Sequence, residues 1–140
     1  MIKKRIILIC LTLLLATTLA ACRFEVTRSP SGDAAATWIT SGLTNDEGDN
    51  SWSISADRIS GNTMREVSIT SEELAAFSIE STFRSGKITI TLTQENAEME
   101  IDVPDGYQEV LDVSDKFEPG DLQILLTFED AEDITLSLEW

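Results

Sequence analysis

The sequence predicts an all-β protein with one short helical turn. Three observations lead to this prediction: the alternation of polar and apolar residues, the regular spacing of turn residues and one helix-capping motif. Polar and apolar residues alternate over most of the chain from residue 37 onward, which is the period of a strand with one buried and one solvated face. Turn residues interrupt the alternation at intervals of about ten residues. Because a single sheet would leave its apolar face uncovered, we expect a two-sheet antiparallel β-sandwich with Greek-key or jelly-roll connections, or a small barrel, over residues 37–140.

The first strong alternation places three apolar residues on one face, namely Trp52, Ile54 and Ala56. Gly61-Asn62 interrupts the pattern, which resumes over residues 66–69. A capping box follows, in which the Thr70 hydroxyl and the Glu73 carboxylate each satisfy a backbone donor. We therefore predict one short helical turn near residues 72–76.

The middle of the chain predicts a β-hairpin. Residues 77–83 and 87–93 both alternate, and Ser85-Gly86 between them is typical of a tight turn. Residues 98–103 predict a further strand, in which acidic residues alternate with apolar ones. A weaker strand is expected over residues 107–114.

The end of the chain predicts two strands, at residues 122–128 and 134–140, joined by an acidic turn at Glu129–Asp133. Trp140 continues the second alternation, so we expect it to be fixed in a sheet. The stretch from Gly86 to Trp140 resembles the jelly-roll modules of secreted bacterial enzymes and carbohydrate binders.

The start of the chain has the parts of an export signal in their usual order. Basic residues 3–5 precede an apolar run at residues 6–15. The run is short for a membrane span, although a retained transmembrane helix is the alternative. It leads to Leu19-Ala20-Ala21-Cys22, which resembles the lipobox of bacterial lipoproteins.

This resemblance implies that residues 1–21 are removed and that the Cys22 thiol carries a diacylglyceryl group. Residues 22–36 would then form a flexible tether, and residues 37–140 an extracytoplasmic domain anchored to a bacterial membrane without a spanning helix. Beyond the signal, the chain is similar to small exported bacterial lipoproteins of unknown function.

The amino-acid composition excludes several kinds of functional site from the folded domain. The chain has no histidine, and its only cysteines are Cys10 in the signal and Cys22. Catalytic triads, histidine metal centres and disulfides are therefore excluded from the mature domain. A glycosidase-like carboxylate pair is the remaining catalytic alternative, and we expect no enzyme activity. The net charge of −15 makes direct nucleic-acid binding unfavourable.

Two binding sites are suggested by residue type. Asp46, Glu47 and Asp49 lie in an oxygen-rich segment that suits calcium, although acidic residues also occur in loops because loops face water. Trp38 and Tyr107 are candidates for stacking on a sugar, whereas Trp52 is expected in the core. The sequence thus predicts a lipid-anchored, non-catalytic interaction or accessory domain with a protein or glycan partner, and a carbohydrate-binding module, with or without structural calcium, as the alternative.

Overall fold

The computed structural model describes residues 39–140, so the predicted signal, Cys22, the predicted tether and Trp38 lie outside the described residues. The elements are β1 (Ile39–Ser41), β2 (Thr44–Glu47), β3 (Ser51–Ile69), α1 (Ser71–Leu74), β4 (Phe77–Thr82), β5 (Ser85–Gln94), β6 (Ala97–Val103), β7 (Gln108–Leu111) and β8 (Gly120–Glu139). Every strand pairing is antiparallel. The all-β prediction is confirmed.

Two long strands form the centre of the sheet. β3 has 19 residues and β8 has 20, and they pair along their whole length, from Ser51 opposite Glu139 to Ile69 opposite Gly120. The prediction of two separate strands in each of these regions is wrong. A register shift between Ile59 and Gly61 in β3 lets that strand continue through its irregularity, as a β-bulge does.

β8 continues through its acidic segment in a similar way. Asp130 and Asp133 have φ angles of 46° and 50°, a conformation that Asp adopts more readily than most residues. Between them, Ala131 is fully buried and pairs with Ile59 of β3. Glu129–Asp133 is therefore a bend within one strand rather than a turn between two.

The predicted hairpin at Ser85-Gly86 is also wrong. β4 and β5 do not pair with each other, since both lie along β8, β4 beside residues 135–139 and β5 beside residues 123–132. The Arg84 amide donates to the Glu132 carbonyl over 2.9 Å, so pairing with β8 continues through the expected turn. Gly86 instead occupies a register shift between Ser85 and Lys87.

The irregularities of the three neighbouring strands lie side by side. Arg58 and Ser85 both pair with Glu132, close to the register shifts of β3 and β5. We call this line across the sheet the crease. The first half of the sheet contains β1, β2, β4, β7, the start of β3 and the end of β8; the second half contains β5, β6, the end of β3 and the start of β8.

The crease folds the sheet back on itself. In a straight strand, residues 14 positions apart would be separated by roughly 46 Å, yet the Arg65 side chain donates to the Ser51 carbonyl over 2.8 Å. An arginine side chain is far too short to span that gap, so β3 must turn back at the crease. The two halves of the sheet consequently face each other.

One hydrophobic core lies between these halves. The first half contributes Trp52, Phe77 and Leu136, and the second half contributes Ile90 and Leu122, all buried in the same cluster. All eight strands belong to one hydrogen-bonded sheet, so bending, rather than a second sheet, covers the apolar face. The prediction of a two-sheet sandwich with Greek-key or jelly-roll connections is therefore not confirmed.

The capping box predicted before the helix is confirmed. The Glu73 amide donates to the Thr70 hydroxyl over 3.3 Å, and the Thr70 amide donates to the Glu73 carboxylate over 2.7 Å. The helix α1 lies slightly earlier than the predicted 72–76, and its Leu74 is buried in the core. Residues 39–140 contain no helix with the length and apolarity needed to cross a membrane.

Candidate functional site at the β6 edge

β6 forms one edge of the second half of the sheet. Its seven residues pair with β5, from Ala97 opposite Gln94 to Val103 opposite Ile88, without a register shift. Among residues 39–140, β6 has no partner strand on its other side. An edge strand of this kind presents a row of backbone donors and acceptors that another strand can pair with.

The two faces of β6 differ in chemistry because polar and apolar residues alternate. Glu98, Glu100 and Asp102 are exposed on the outer face of the sheet. On the inner face, Ile101 and Val103 are buried, while Ala97 and Met99 are half-buried against the core. The edge therefore has an anionic side and an apolar side.

Threonines flank the carboxylates on the neighbouring strand. Thr93, Thr91 and Thr89 of β5 lie opposite Glu98, Glu100 and Asp102, respectively. The Thr89 hydroxyl donates to Asp102 over 3.3 Å. The Thr89 side chain is buried and those of Thr91 and Thr93 are half-buried, so hydroxyl groups lie beside the carboxylates.

The negative charge of Asp102 is compensated by a neighbouring lysine. The Lys87 ammonium lies 3.1 Å from its carboxylate. Hydrogen bonding to Asp102 raises the pKa of Lys87, and the same contact, followed by the Thr89 hydroxyl, holds the pKa of Asp102 below its usual range. No Lys or Arg of residues 39–140 forms an ion pair with Glu98 or Glu100, and both side chains are exposed. The charge of Glu100 contributes at longer range to the raised pKa of Lys87.

A second charged cluster lies along the crease and is internally paired. Arg84 lies 2.7 Å from Glu132 and 2.9 Å from Asp133, and Arg58 lies 3.7 Å from Asp130. Both arginines are largely exposed, so each pair contributes little to stability in water. This cluster connects adjacent strands where they bend.

The predicted calcium residues do not converge. Asp46 and Glu47 are exposed on β2, and Asp49 is exposed in the turn to β3. Neighbouring groups already bind oxygens of this segment, including one of Glu47: Trp52 donates its indole N–H to Asn45 over 2.8 Å, Asn45 donates to Glu47 over 3.0 Å, and Arg65 donates to the Gly48 carbonyl over 2.6 Å. Within residues 39–140, no three acidic, histidine or cysteine side chains are grouped so as to hold a metal ion.

The described tryptophans and Tyr107 pack in or against the hydrophobic core. Trp52 is 1% exposed, which confirms its predicted place in the core. Trp140, also predicted to be fixed, is buried, stacks on Phe77 at 6.3 Å and donates its amide to the Asn50 carbonyl. Tyr107 packs partly against the core and its hydroxyl donates to Glu109, while burial raises its pKa. Trp38 lies outside the described residues.

An open polar groove of about 490 Å³ lies at the start of β6. Its wall includes Gln94, whose side chain donates to the Glu118 and Asp121 carbonyls and accepts from the Glu118 amide at 2.8 Å. These bonds connect the end of β5 to the start of β8 and to Glu118 just before it. In the described part of the chain, every buried side-chain polar atom has a hydrogen-bond partner.

The sequence predicts the alternation of β6 but not its edge position. The signal was present in part, because Glu98, Glu100 and Asp102 are successive residues of one face, and charges on a strand are typical of edges. Which strand lies beside β6 is decided by long-range pairing, which a local pattern does not contain. The chain matches no protein-family model, no curated protein and no solved structure.

Proposed function

We propose that this protein is an extracytoplasmic bacterial lipoprotein, held to a membrane by lipid on Cys22, whose β domain is a non-catalytic docking module for another protein. The structural observation that carries the docking part is the uncovered edge of β6. The observation that carries the anchoring part is the order of basic residues, apolar run and Leu19-Ala20-Ala21-Cys22 at the start of the sequence.

Charge supports a protein partner over a direct contact with lipid or nucleic acid. The chain has a net charge of −15, and removing residues 1–21 would take away three basic and no acidic residues. An acidic domain is repelled by anionic lipid headgroups and by phosphate backbones. A tether of residues 22–36, with a reach of roughly 20 Å, would hold the domain near the membrane while this repulsion keeps it available to a partner.

The distribution of carboxylates supports docking over catalysis. Glycoside hydrolysis needs one carboxyl group whose pKa is raised, usually by burial, facing a second across the substrate. The acidic side chains with resolved shifts, Glu73, Asp102 and Asp112, all have lowered pKa values, caused by hydrogen bonds to Thr70, Lys87 and Ser114. These groups are suited to staying charged at a surface.

The anchor is tested by the mass of the protein recovered from bacterial membranes. For the wild-type chain we expect loss of residues 1–21 and a gain of lipid mass on the peptide that begins at Cys22. Cys22→Ser should gain no lipid. Cys10→Ser is the matched control, because it removes the other cysteine and should leave lipidation unchanged.

Mass is more decisive here than fractionation, since an uncut apolar segment would itself hold the chain at a membrane. A Cys22→Ser chain that still carries the lipid mass, or a wild-type chain that keeps residues 1–21, would contradict the anchoring proposal.

A further inference from the structure

We propose that β6 binds an extended segment of the partner protein as an added antiparallel or parallel strand, and that this segment alternates basic with apolar residues. This inference rests on the proposed docking function and names the surface and the chemistry of the partner. It is carried by three features of β6, namely its open backbone edge, its unpaired carboxylates and its half-buried inner residues.

The backbone of β6 is already ordered for pairing. All seven residues from Ala97 to Val103 pair with β5 without a register shift, so the open side is regular over roughly 23 Å. Strand addition draws its affinity from main-chain hydrogen bonds and its specificity from alternate side chains. Little of the binding free energy would be lost in ordering this edge.

The outer face sets the charge of the partner. Glu98 and Glu100 are exposed on the same face and have no ion-pair partner in residues 39–140. Side chains directly opposite each other on paired strands lie about 5 Å apart, and opposite charges there are favourable whereas like charges are not. Lysine or arginine at every second position of the added strand would meet these carboxylates.

The inner face of β6 determines which residues are preferred at the remaining positions of the added strand. Ala97 and Met99 pack against the core but are only half-buried. Apolar residues of an added strand would lie beside them and remove more of their surface from water. The preferred segment therefore has basic residues facing outward and apolar residues facing inward, in strict alternation.

The same charges argue against a second copy of this chain as the occupant. Pairing two β6 edges would bring the acidic rows, Glu98, Glu100 and Asp102, next to the same residues of the other molecule. Like charges on facing strands are destabilising. The edge is therefore suited to a basic segment and protected from self-association.

β7 provides an internal comparison. It also pairs on one side only, with β4, but it has four residues and its exposed apolar residue, Val110, is 68% accessible on the outer face. It offers a shorter edge without an acidic row. Binding that depends on the features of β6 should not occur at β7.

The test uses the full chain, labelled with nitrogen-15 and held in detergent micelles, and a nine-residue peptide of alternating lysine and valine. We expect saturable changes in the amide signals of Ala97–Val103 and none in those of Gln108–Leu111. A peptide of the same composition, with its lysines and valines in two separate blocks, should bind at least about tenfold more weakly. An alternating glutamate-valine peptide should not bind.

Paired variants separate the edge from general attraction to an acidic protein. Glu98→Gln with Glu100→Gln should weaken binding of the lysine-valine peptide at least about fivefold, because two cross-strand charge pairs are lost. Glu80→Gln with Glu139→Gln is the matched control, since it makes the same change in net charge at exposed outer-face positions of the first half. The control should change affinity by less than about twofold.

Several outcomes would overturn the inference. One is an equal loss of affinity in both double variants, and another is equal affinity for the alternating and the block peptides. The inference would also fail if the peptide shifted amide signals elsewhere but not in β6, or if the protein self-associated through β6 without peptide. A native partner that binds another surface would overturn the β6 assignment and leave the docking function standing. Lipidation of Cys22 is measured separately and does not depend on either result.

Discussion

Arg65 donates a 2.8 Å hydrogen bond to the backbone carbonyl of Ser51, which lies 14 residues earlier in the same strand. Its guanidinium also donates to the Gly48 carbonyl and lies 5.3 Å from the centre of the Trp140 ring. Arg65 belongs to the second half of the folded sheet, and these partners belong to the first half or to the turn beside it. The side chain therefore connects the two halves at the rim of the core.

Replacing Arg65 tests whether this contact stabilises the folded sheet. Arg65→Ala removes two charged hydrogen bonds and a cation–π contact, so we expect the free energy of unfolding to fall by about 2–4 kcal/mol. Arg65→Lys keeps the charge but not the planar fork and should give an intermediate loss. Urea unfolding followed by tryptophan fluorescence measures both variants.

Arg58→Ala is the control for this experiment. Arg58 is 60% exposed and lies 3.7 Å from an exposed carboxylate of Asp130, so its removal should cost less than about 1 kcal/mol. Similar losses for Arg58→Ala and Arg65→Ala would show that Arg65 does not hold the halves together.

Replacing Gly86 tests whether β5 and β8 lie close together at the crease. Its φ angle is 96°, and an added Cβ would lie 2.5 Å from the carbonyl oxygen of Asp130 and from the Cα of Ala131. These are backbone atoms that cannot rotate away. We expect Gly86→Ala to lower the free energy of unfolding by more than about 3 kcal/mol, from backbone strain together with the steric clash.

Gly106→Ala separates these two causes. Gly106 also has a positive φ, 72°, but an added Cβ would have no heavy atom within 4 Å. Only the backbone cost of about 1–2 kcal/mol should remain. Equal effects at the two glycines would mean that β5 and β8 are not packed closely at the crease.

The hydrogen-bonded carboxylate of Glu73 should make the stability of the fold depend on pH. Hydrogen bonds to the backbone and side chain of Thr70 lower the pKa of Glu73 from its ordinary 4.5. A carboxyl group with a depressed folded-state pKa stabilises the fold above its unfolded-state pKa and loses that contribution as the pH falls through the folded-state value. Glu73→Gln should therefore flatten the fall in melting temperature below about pH 4.5.

Glu72→Gln is the matched change at the adjacent exposed position. Glu72 makes no bond to Thr70 in the capping box, so this variant should retain the acid sensitivity of the wild-type chain. Melting temperatures measured from pH 3 to pH 7 compare the three proteins. A wild-type profile as flat as that of Glu73→Gln would contradict a stabilising role for the ionised carboxylate.

The sequence predicted the elements of this fold better than their connections. Period-two alternation identified the buried faces at Trp52, Ile54 and Ala56 and at residues 122–128, because which side of a strand faces the core is a local property. The capping box at Thr70 was predicted because both of its hydrogen bonds lie within four residues. These features need no knowledge of distant neighbours.

The crease was not predicted, because turn residues have two uses. Ser85-Gly86 and Gly61-Asn62 can end a strand or bend one, and the difference depends on whether the neighbouring strand bends at the same place. Here β8 bends beside both, through Asp130 and Asp133. That coincidence is a long-range property of three strands.

Candidate binding residues were the least predictable from sequence. An acidic segment such as Asp46, Glu47 and Asp49 has the composition of a calcium site, but successive residues of β2 point to opposite faces. Trp52 and Arg65 already donate hydrogen bonds to neighbouring oxygens of the segment. The sequence shows Glu98 and Glu100 only as alternating acidic residues of a strand, because the edge position of β6 is set by long-range strand pairing.

Site-specific photocrosslinking in native membranes tests the central claim, that another protein docks on the β6 edge of this domain, most directly. A photoreactive residue replaces Glu100 on the β6 face in one protein and Glu80 on the first half in another, with Cys22 intact in both. We expect a discrete protein adduct from position 100, absent at position 80 and competed by the lysine-valine peptide. Adducts at neither position, or equal adducts at both that the peptide does not displace, would contradict the claim.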